Sequence, residues 1–466
     1  MSRKDLQHIT LNYAENQAIH INNEANFCAE PHTKISSDSE SDFESGAGFA
    51  PFLRGVSSTM YIRAPWDIQQ SARLNTITEY NAFYKRNFKA GQRHFSLDFN
   101  CNRNETLRVD TLDQFKSVFK DIPLNAITIS LKNDANVLAN LAFYFATVET
   151  QGLDLNNVKG TFEVDVLENL NLLNNTENSE HSISDILELT KTEAPHFNVI
   201  CICNDSSKHL SLETELALML ISGNNILKKG IDSGLKIDHI TPSLSFNFEI
   251  GLNHFNEISK LRAARLLWAK IVKSYHPKDE KSLALHIHCK TKTTDPKNLN
   301  SENAVTKATI GALASIFGGT QSLKTQSVIS STLESERLDK NIQLFLQKET
   351  QITKTVDPWA GSFYVEKQTQ ELAKKAWSIF EAYQNTNKIP EDIQSALLQF
   401  EAHDLEYANV IQTLNPLPMN RDDDTVADLL SKLTEASKNN DKNRLTLAIK
   451  AVKSNATFSE ICKDIN

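Results

Sequence analysis

Residues 240–275 read ITPSLSFNFEIGLNHFNEISKLRAARLLWAKIVKSY, and this stretch decides the fold. In its first part, Leu244, Phe246 and Phe248 occupy alternate positions. Alternation of large apolar residues predicts a buried strand. Gly251 then interrupts the pattern, as expected where a strand ends and a helix begins.

The second part of the stretch has helical spacing. Leu261, Ala264 and Trp268 are three or four residues apart and fall on one side of a helix. Ile271 and Tyr275 extend the same stripe. Most of the cations fall off the stripe: Lys260, Arg262, Lys270 and Lys273. A strand followed by an amphipathic helix is one βα unit, and for any single residue in it the simplest interpretation is packing.

The same alternation recurs along the chain. Further strand-like runs lie at 94–100, 125–131, 160–166, 198–203, 282–289, 320–325 and 352–356. Helical periodicity follows them at 112–119, 136–149, 184–191, 211–229, 304–317, 331–348 and 363–383. About eight βα repeats predict an α/β fold in which parallel strands close into a (β/α)8 TIM barrel. A doubly wound open sheet is the alternative.

The two ends of the chain differ from this repeat. Residues 1–48 are expected to form a partly flexible N-terminal arm, because 35–48 is acidic, rich in Ser and poor in apolar residues. The barrel is expected at 49–387. A helical C-terminal tail is expected at 388–466, with helices at 391–400, 425–436 and 444–452.

Composition narrows the function classes. The 466 residues carry a formal net charge of −9, which argues against nonspecific binding to nucleic acid or to an anionic membrane. There is no apolar run of about 18 residues, and no signal-type segment follows Met1. None of the six cysteines forms a C-x-x-C pair. We therefore expect a cytoplasmic protein with free thiols.

Common catalytic motifs are absent: there is no phosphate-binding P-loop, no G-x-S-x-G elbow and no H-E-x-x-H helix. Residues 318–320 (GGT) favour a tight turn over a close approach to a ligand. His286 and His288 should face the same side of a strand, but no carboxylate or third histidine lies near them in sequence. His209 is expected in a solvated loop, and 357–359 (DPW) resembles a turn with a packed aromatic residue. We assign no catalytic, cofactor-binding or metal-ligating residue to this chain.

Several segments nevertheless resemble the barrel of the methylmalonyl-CoA mutase family. The resemblance covers about residues 48–385, and its longest motifs are KLRAARLLWAK (260–270) and VDPWAGSFYVE (356–366). The other matching segments are PFLRG (51–55), TMY (59–61), PW (65–66), NAFYKRN (81–87), AGQ (90–92), GGTQSL (318–323) and NIQLFLQKE (341–349).

This resemblance implies an adenosylcobalamin-dependent isomerase that acts on an acyl-CoA. In such an enzyme the cobalt–carbon bond breaks, and the adenosyl radical takes a hydrogen atom from the methyl group of the substrate. Migration of the thioester carbonyl group then gives succinyl-CoA. The barrel encloses the CoA arm and keeps water and oxygen away from the radicals.

The chain departs from the family pattern at the residues that would hold the substrate. Ala64 and Gln69 stand where catalytic chains have arginines, and Ser71 replaces the tyrosine that gates the radical site. Glu163 replaces a substrate-facing glutamine, and His181 replaces the arginine that pairs with the substrate carboxylate. Residues 203–206 (CNDS) align with the family S-G-Y-H, and 286–291 (HIHCKT) with R-T-H-S-Q-T.

These departures imply the family's non-catalytic small (β) subunit. The D-x-H-x-x-G cobalt-ligand motif is also absent from the sequence, so we expect adenosylcobalamin to be carried by a large (α) subunit, the partner of this chain. A free-standing acyl-CoA-binding or regulatory barrel is one alternative. A mutase for another acyl-CoA, working with a separate cobalamin domain, is the other.

Overall fold

The computed structural model describes most of the chain from Ser45 onward. The described residues are 45–72, 74, 76–99, 107–132, 137–165, 186–204, 210–293, 301–327, 333–386, 388, 421–439, 441 and 443–465. The chain divides into two units, Met1–Ser41 and Asp42–Asn466. The predicted arm therefore lies almost entirely outside the described residues, and the barrel and the C-terminal helices belong to one unit.

Eight parallel strands form a closed barrel in chain order, with β8 paired back to β1. The strands are β1 (Asp67–Gln70), β2 (His94–Asp98), β3 (Thr128–Lys132), β4 (Lys159–Asp165), β5 (Phe197–Cys203), β6 (Leu244–Ile250), β7 (His286–Thr291) and β8 (Ser322–Lys324). The predicted (β/α)8 barrel is confirmed.

One strand of the prediction is wrong. The run 352–356 contains a 3-10 helix, Ile352–Lys354, and the place in the barrel is taken by β1, whose sequence is DIQQ. The β-branched residues of 352–356 favour a strand, but β8 already pairs with β1, so the closed barrel offers no free edge. The missed strand, β1, has only four residues and little apolar content, so it shows no apolar alternation.

Helices surround the barrel and extend beyond it. They are α1 (Ile77–Lys89), α2 (Leu112–Val118), α3 (Val137–Thr150), α4 (186–193), α5 (Leu212–Asp232), α6 (Ile237–Ile240), α7 (His254–Lys273), α8 (Ser301–Phe317), α9 (Leu333–Lys348), α10 (Phe363–Thr386), α11 (Asp423–Asn439), α12 (Arg444–Lys453) and α13 (Phe458–Ile465). The predicted helix at 391–400 lies outside the described residues. No described helix combines the length and the apolar character needed to cross a membrane.

The strand–helix unit predicted from residues 240–275 is formed by β6 and α7. Phe246 packs edge-on against Trp268, with ring centroids 5.2 Å apart, so the apolar face of β6 meets the apolar stripe of α7. The cations of α7 do not all follow the prediction. Lys260 and Arg262 are buried, and so is Arg265, because α5 and α10 cover the side of α7 that a simple two-layer barrel would leave in water.

Lys260 joins α7 to α5 and to the end of β6. Its ammonium lies 2.9 Å from a carboxylate oxygen of Glu215 and 2.8 Å from one of Glu257. It also donates a hydrogen bond of 3.0 Å to the backbone oxygen of Glu249. Burial alone would lower the pKa of Lys260, but the two carboxylates outweigh burial and raise it. The charge is therefore kept inside the protein by its partners.

The two arginines of α7 hold more distant segments. Arg262 donates hydrogen bonds to Asp357 (2.6 Å) and Glu366 (2.7 Å), which tie α7 to the start of α10. Arg265 donates to the backbone oxygens of Leu53 (3.1 Å) and Gly318. Residues 318–320 form the predicted turn, with φ of +82° at its second glycine, and a Cβ atom at Gly318 would collide with α7.

The C-terminal helices cover α3. Every residue from Leu138 to Val148 is buried, since α12 and α13 pack on the side of α3 that faces away from the barrel. Phe458 contacts Phe143, with ring centroids 5.5 Å apart. Ser459 donates backbone and hydroxyl hydrogen bonds to Asp110, at 3.0 and 2.9 Å. The predicted tail helices at 425–436 and 444–452 are confirmed as α11 and α12.

Replacing Arg262 with Ala should lower the free energy of unfolding by about 3–5 kcal/mol, because Asp357 and Glu366 would stay buried without their counter-ion. Urea unfolding followed by tryptophan fluorescence measures this change. Lys273→Ala, at an exposed position in the same helix, is the matched control and should change stability by less than about 0.5 kcal/mol. Equal effects of the two substitutions would contradict the assignment.

Replacing Phe458 with Ala should loosen the tail, since removal of a buried phenyl ring costs about 3–5 kcal/mol. We expect faster proteolysis within 421–465 and faster hydrogen exchange in α3. Lys463→Ala, on the exposed side of α13, serves as the control and should leave both rates near those of the unmodified chain. Unchanged exchange in α3 after Phe458→Ala would show that the tail does not protect this helix.

Candidate functional site

The inside of the barrel is polar. Interiors of TIM barrels are usually filled by branched apolar residues, but here two histidines from non-adjacent strands meet inside the barrel. The rings of His94 on β2 and His288 on β7 lie edge-on, with centroids 6.2 Å apart. Strands β2 and β7 are not neighbours, so this contact passes through the barrel interior. His94 Nε2 also lies 3.0 Å from Ser130 Oγ on β3.

A third histidine and a lysine occupy the same part of the interior. The rings of His286 and His288 are 4.9 Å apart, which confirms that both face the same side of β7. His288 Nδ1 is hydrogen-bonded to Ser322 on β8. From β8, Lys324 Nζ reaches past β1 and lies 3.3 Å from Ser96 Oγ on β2.

The histidines are held in the neutral form. Burial, together with the nearby His286 and Lys324, lowers the pKa of His94 to about 3. Burial lowers the pKa of His286 to about 4. The pKa of His288 is also lowered, by burial first and then by the other two histidines. A charged imidazole would have little water to solvate it here.

The opposite side of the interior is also polar. Burial raises the pKa of the Cys201 thiol, and the carboxylate of Glu163 adds to this effect. The nearby hydroxyl groups of Ser245 and Thr161 act against it. The thiol is therefore protonated at neutral pH and is a poor nucleophile.

Sequence reasoning found only part of this interior. Polar residues recur with a period of two in HFSLD (94–98), SFNFE (245–249) and HIHCKT (286–291), while the residues between them are apolar and face the helices. Apolar alternation, which was used to predict the strands, does not mark polar inward positions. Only His286 and His288 were expected to face the same side of a strand. A matching search for polar alternation would have found the other inward positions.

The C-terminal rim of the barrel carries charges of alternating sign. On one side, strand register places Lys132 of β3 between Asp98 of β2 and Glu163 of β4. On the other, Lys290 of β7 stands beside Glu249 of β6. TIM-barrel enzymes place their active sites at this end.

A shallow cleft lies at the same end, beside β1 and β8. It is lined by Gln69, Gln70, Ser71, Thr325, Glu336, Asp339, Lys340 and Gln343. Burial raises the pKa of Asp339 to about 6, although its hydrogen bonds with Ser327 act in the opposite direction. Two positions at which the sequence departs from the family, Gln69 and Ser71, therefore lie together in one cleft.

The remaining predicted positions are more scattered. Ala64 is exposed ahead of β1, and Cys203 is buried at the end of β5. Asp357 binds Arg262, and Trp359 packs edge-on against Phe255, with ring centroids 5.2 Å apart. This agrees with a turn that carries a packed aromatic residue. His181, Asp205, Ser206 and His209 lie outside the described residues.

Within the described part of the chain, no group of three or more His, Cys, Asp or Glu side chains is arranged to hold a metal ion. The three interior histidines are included in this statement. His94 Nε2 and His288 Nδ1 contact serine hydroxyls, whereas His94 Nδ1 and His288 Nε2 have no hydrogen-bond partner among the described residues.

Comparison with known proteins identifies the family. The family model described as methylmalonyl-CoA mutase matches residues 22–410 and 385–466. The chain is 34% identical to the methylmalonyl-CoA mutase large subunit of Porphyromonas gingivalis, over 89% of this chain and 67% of that protein. It is 32% identical to the Escherichia coli methylmalonyl-CoA mutase, over 89% of this chain and 67% of the relative.

The human mitochondrial methylmalonyl-CoA mutase is 31% identical, over 89% of this chain and 64% of the human protein. The chain spans between about half and two thirds of the length of the relatives it matches, from 52% to 67%. A match of this length and identity, on a closed eight-stranded barrel, shows that the chain belongs to the methylmalonyl-CoA mutase family.

Proposed function

We propose that this chain is the small, non-catalytic subunit of a heterodimeric, adenosylcobalamin-dependent methylmalonyl-CoA mutase. The observation that carries the proposal is the contact between His94 and His288, which places two imidazole rings in the barrel interior between the non-adjacent strands β2 and β7. A barrel that encloses a CoA arm needs an open axis. With Lys324 also reaching across toward Ser96, this interior holds its own side chains where a ligand would have to pass.

The departures from the family motifs support the same proposal. A catalytic site for an anionic substrate gains affinity and orientation from arginine, which binds a carboxylate through two parallel hydrogen bonds. Gln69 and His181 stand at two positions where the family has arginine. A glutamine cannot supply the lost charge. Glu163, on the interior side of β4, would also repel an anionic substrate.

The scaffold, in contrast, is retained. The motifs 260–270 and 356–366 meet through the ion pairs of Arg262 with Asp357 and Glu366. These contacts stabilise the fold and are not substrate-binding contacts. A chain that keeps such contacts while losing substrate-binding groups fits a structural role beside a catalytic chain.

The proposed cofactor belongs to the partner. Cobalamin would supply the radical chemistry when bound to the large subunit, whose family motif for ligating cobalt has no counterpart in these 466 residues. In this chain the C-terminal end of the barrel presents charged residues of both signs, such as Lys132 and Glu163. We assign to these groups no contact with the cofactor.

The proposal predicts that the purified chain, given methylmalonyl-CoA and adenosylcobalamin, forms no succinyl-CoA. Co-expression with a large mutase chain should give a stable complex that elutes as one species and turns over substrate. Product formation followed by chromatography, and complex mass by light scattering, measure the two results. Turnover by the chain alone would refute the non-catalytic role, and failure to associate would refute the subunit role.

Titration with CoA thioesters distinguishes the subunit from a free-standing acyl-CoA-binding barrel. We expect the isolated chain to release no binding heat with millimolar methylmalonyl-CoA, because His94, His288 and Lys324 occupy part of the barrel interior. A catalytic large chain is the positive control. Saturable binding by the isolated chain would favour the alternative function.

A further inference from the structure

Three imidazoles and one ammonium share a single region of the barrel interior. His286 and His288 lie with ring centroids 4.9 Å apart, and His94, on the non-adjacent strand β2, lies 6.2 Å from His288. We propose that this cluster is an acid-sensitive lock, in which neutral rings close the barrel interior and protonation opens it. The proposed lock involves only residues of this chain, so it does not depend on a partner subunit.

Among the described residues, the direct polar contacts of His94 and His288 are with uncharged groups. The rings contact hydroxyl groups: Ser130 Oγ lies beside His94, and Ser322 Oγ beside His288. From β8, Lys324 adds a positive charge that acts on His94. Among the described residues, none of the three rings forms an ion pair with a carboxylate.

The other titratable groups on inward positions are placed differently. Carboxylates face the interior or its ends from several strands: Asp67 on β1, Asp98 on β2, Glu163 on β4 and Glu249 on β6. Cations and thiols complete the set: Lys132 on β3, Cys201 and Cys203 on β5, and Lys290 on β7. By register, Asp98 and Glu163 stand beside Lys132, and Glu249 beside Lys290. Asp67 stands in register beside Ser322, which contacts His288, but Asp67 is exposed at the start of β1.

Protonation of any ring would place a second cation near Lys324 inside the barrel. Histidines whose folded-state pKa is lowered take up protons more easily once the structure opens. The stability they support is complete above pH 6.5 and falls as the pH decreases toward about 4 for His286 and about 3 for His94. Across this interval, each histidine increases the opening equilibrium constant by up to tenfold per pH unit.

The cysteines on β5 provide a local measure of opening. Cys201 and Cys203 are both buried, and strand register places Cys201 beside Ser245 on the interior face. A thiol reagent can reach them only when the barrel opens. We would label the full chain with 4,4′-dithiodipyridine, which reacts in acid, and locate the product by peptide mass mapping. Rates are divided by those of the urea-unfolded chain at the same pH.

The test compares the unmodified chain with the double variant His94→Gln and His288→Gln. Between pH 7 and pH 5, labelling of Cys201 and Cys203 should rise at least about a hundredfold more in the unmodified chain, because the variant lacks two of the three proton-binding rings. Each single variant should lie between the two. Circular dichroism at pH 7 checks that the variants fold. If the double variant does not fold, the single variants are compared with the unmodified chain instead.

His196→Gln is the matched control, because this histidine is exposed just before β5 and its ring is in water in both states. In this control variant, labelling of Cys201 and Cys203 should rise between pH 7 and pH 5 as much as in the unmodified chain. An equal rise of labelling in the unmodified chain and in the variants at position 94 or 288 would overturn the proposal. So would continued protection of both cysteines in the unmodified chain at pH 5.

Discussion

Burial of three cations on one helix is the constraint on which the rest of the barrel depends. Lys260, Arg262 and Arg265 lie within two turns of α7, and each binds a different part of the chain. Removing such charges from water is costly, so each position is favourable only while its carboxylates or carbonyl oxygens are in place. The helix therefore specifies where α5, α10 and the segment around Leu53 must lie. This explains why α7 shows no solvent-facing side at these positions.

The polar interior is stabilised by different interactions. A barrel core of branched apolar residues stabilises itself by packing, whereas this interior relies on hydrogen bonds such as that between His94 and Ser130. Several interior atoms, among them His288 Nε2 and Asn247 Oδ1, have no partner. Buried polar atoms without partners reduce stability. The outer layer, with Phe246 against Trp268 and the sheath of helices around it, has to compensate for this cost.

The sequence allowed the barrel, most helices and the family resemblance to be predicted, because these depend on local periodicity and on long motifs. It did not reveal β1, whose four residues lack an apolar pattern, and it wrongly assigned a strand at 352–356. Closure of the sheet decided between them, and closure is a property of the whole barrel. The cross-barrel contact of His94 with His288 joins residues 194 positions apart, and no local pattern encodes it.

Scaffold and site are separable in this fold for a physical reason. The residues that hold the helices face outward from the strands or lie on the helices, while a ligand meets only inward side chains and the C-terminal rim. Period-two alternation lets one set change while the other remains. At β7, the outward Ile287 and Cys289 pack in the core, whereas His286 and His288 between them occupy the interior. The outward packing of β7 therefore does not depend on which side chains face the interior.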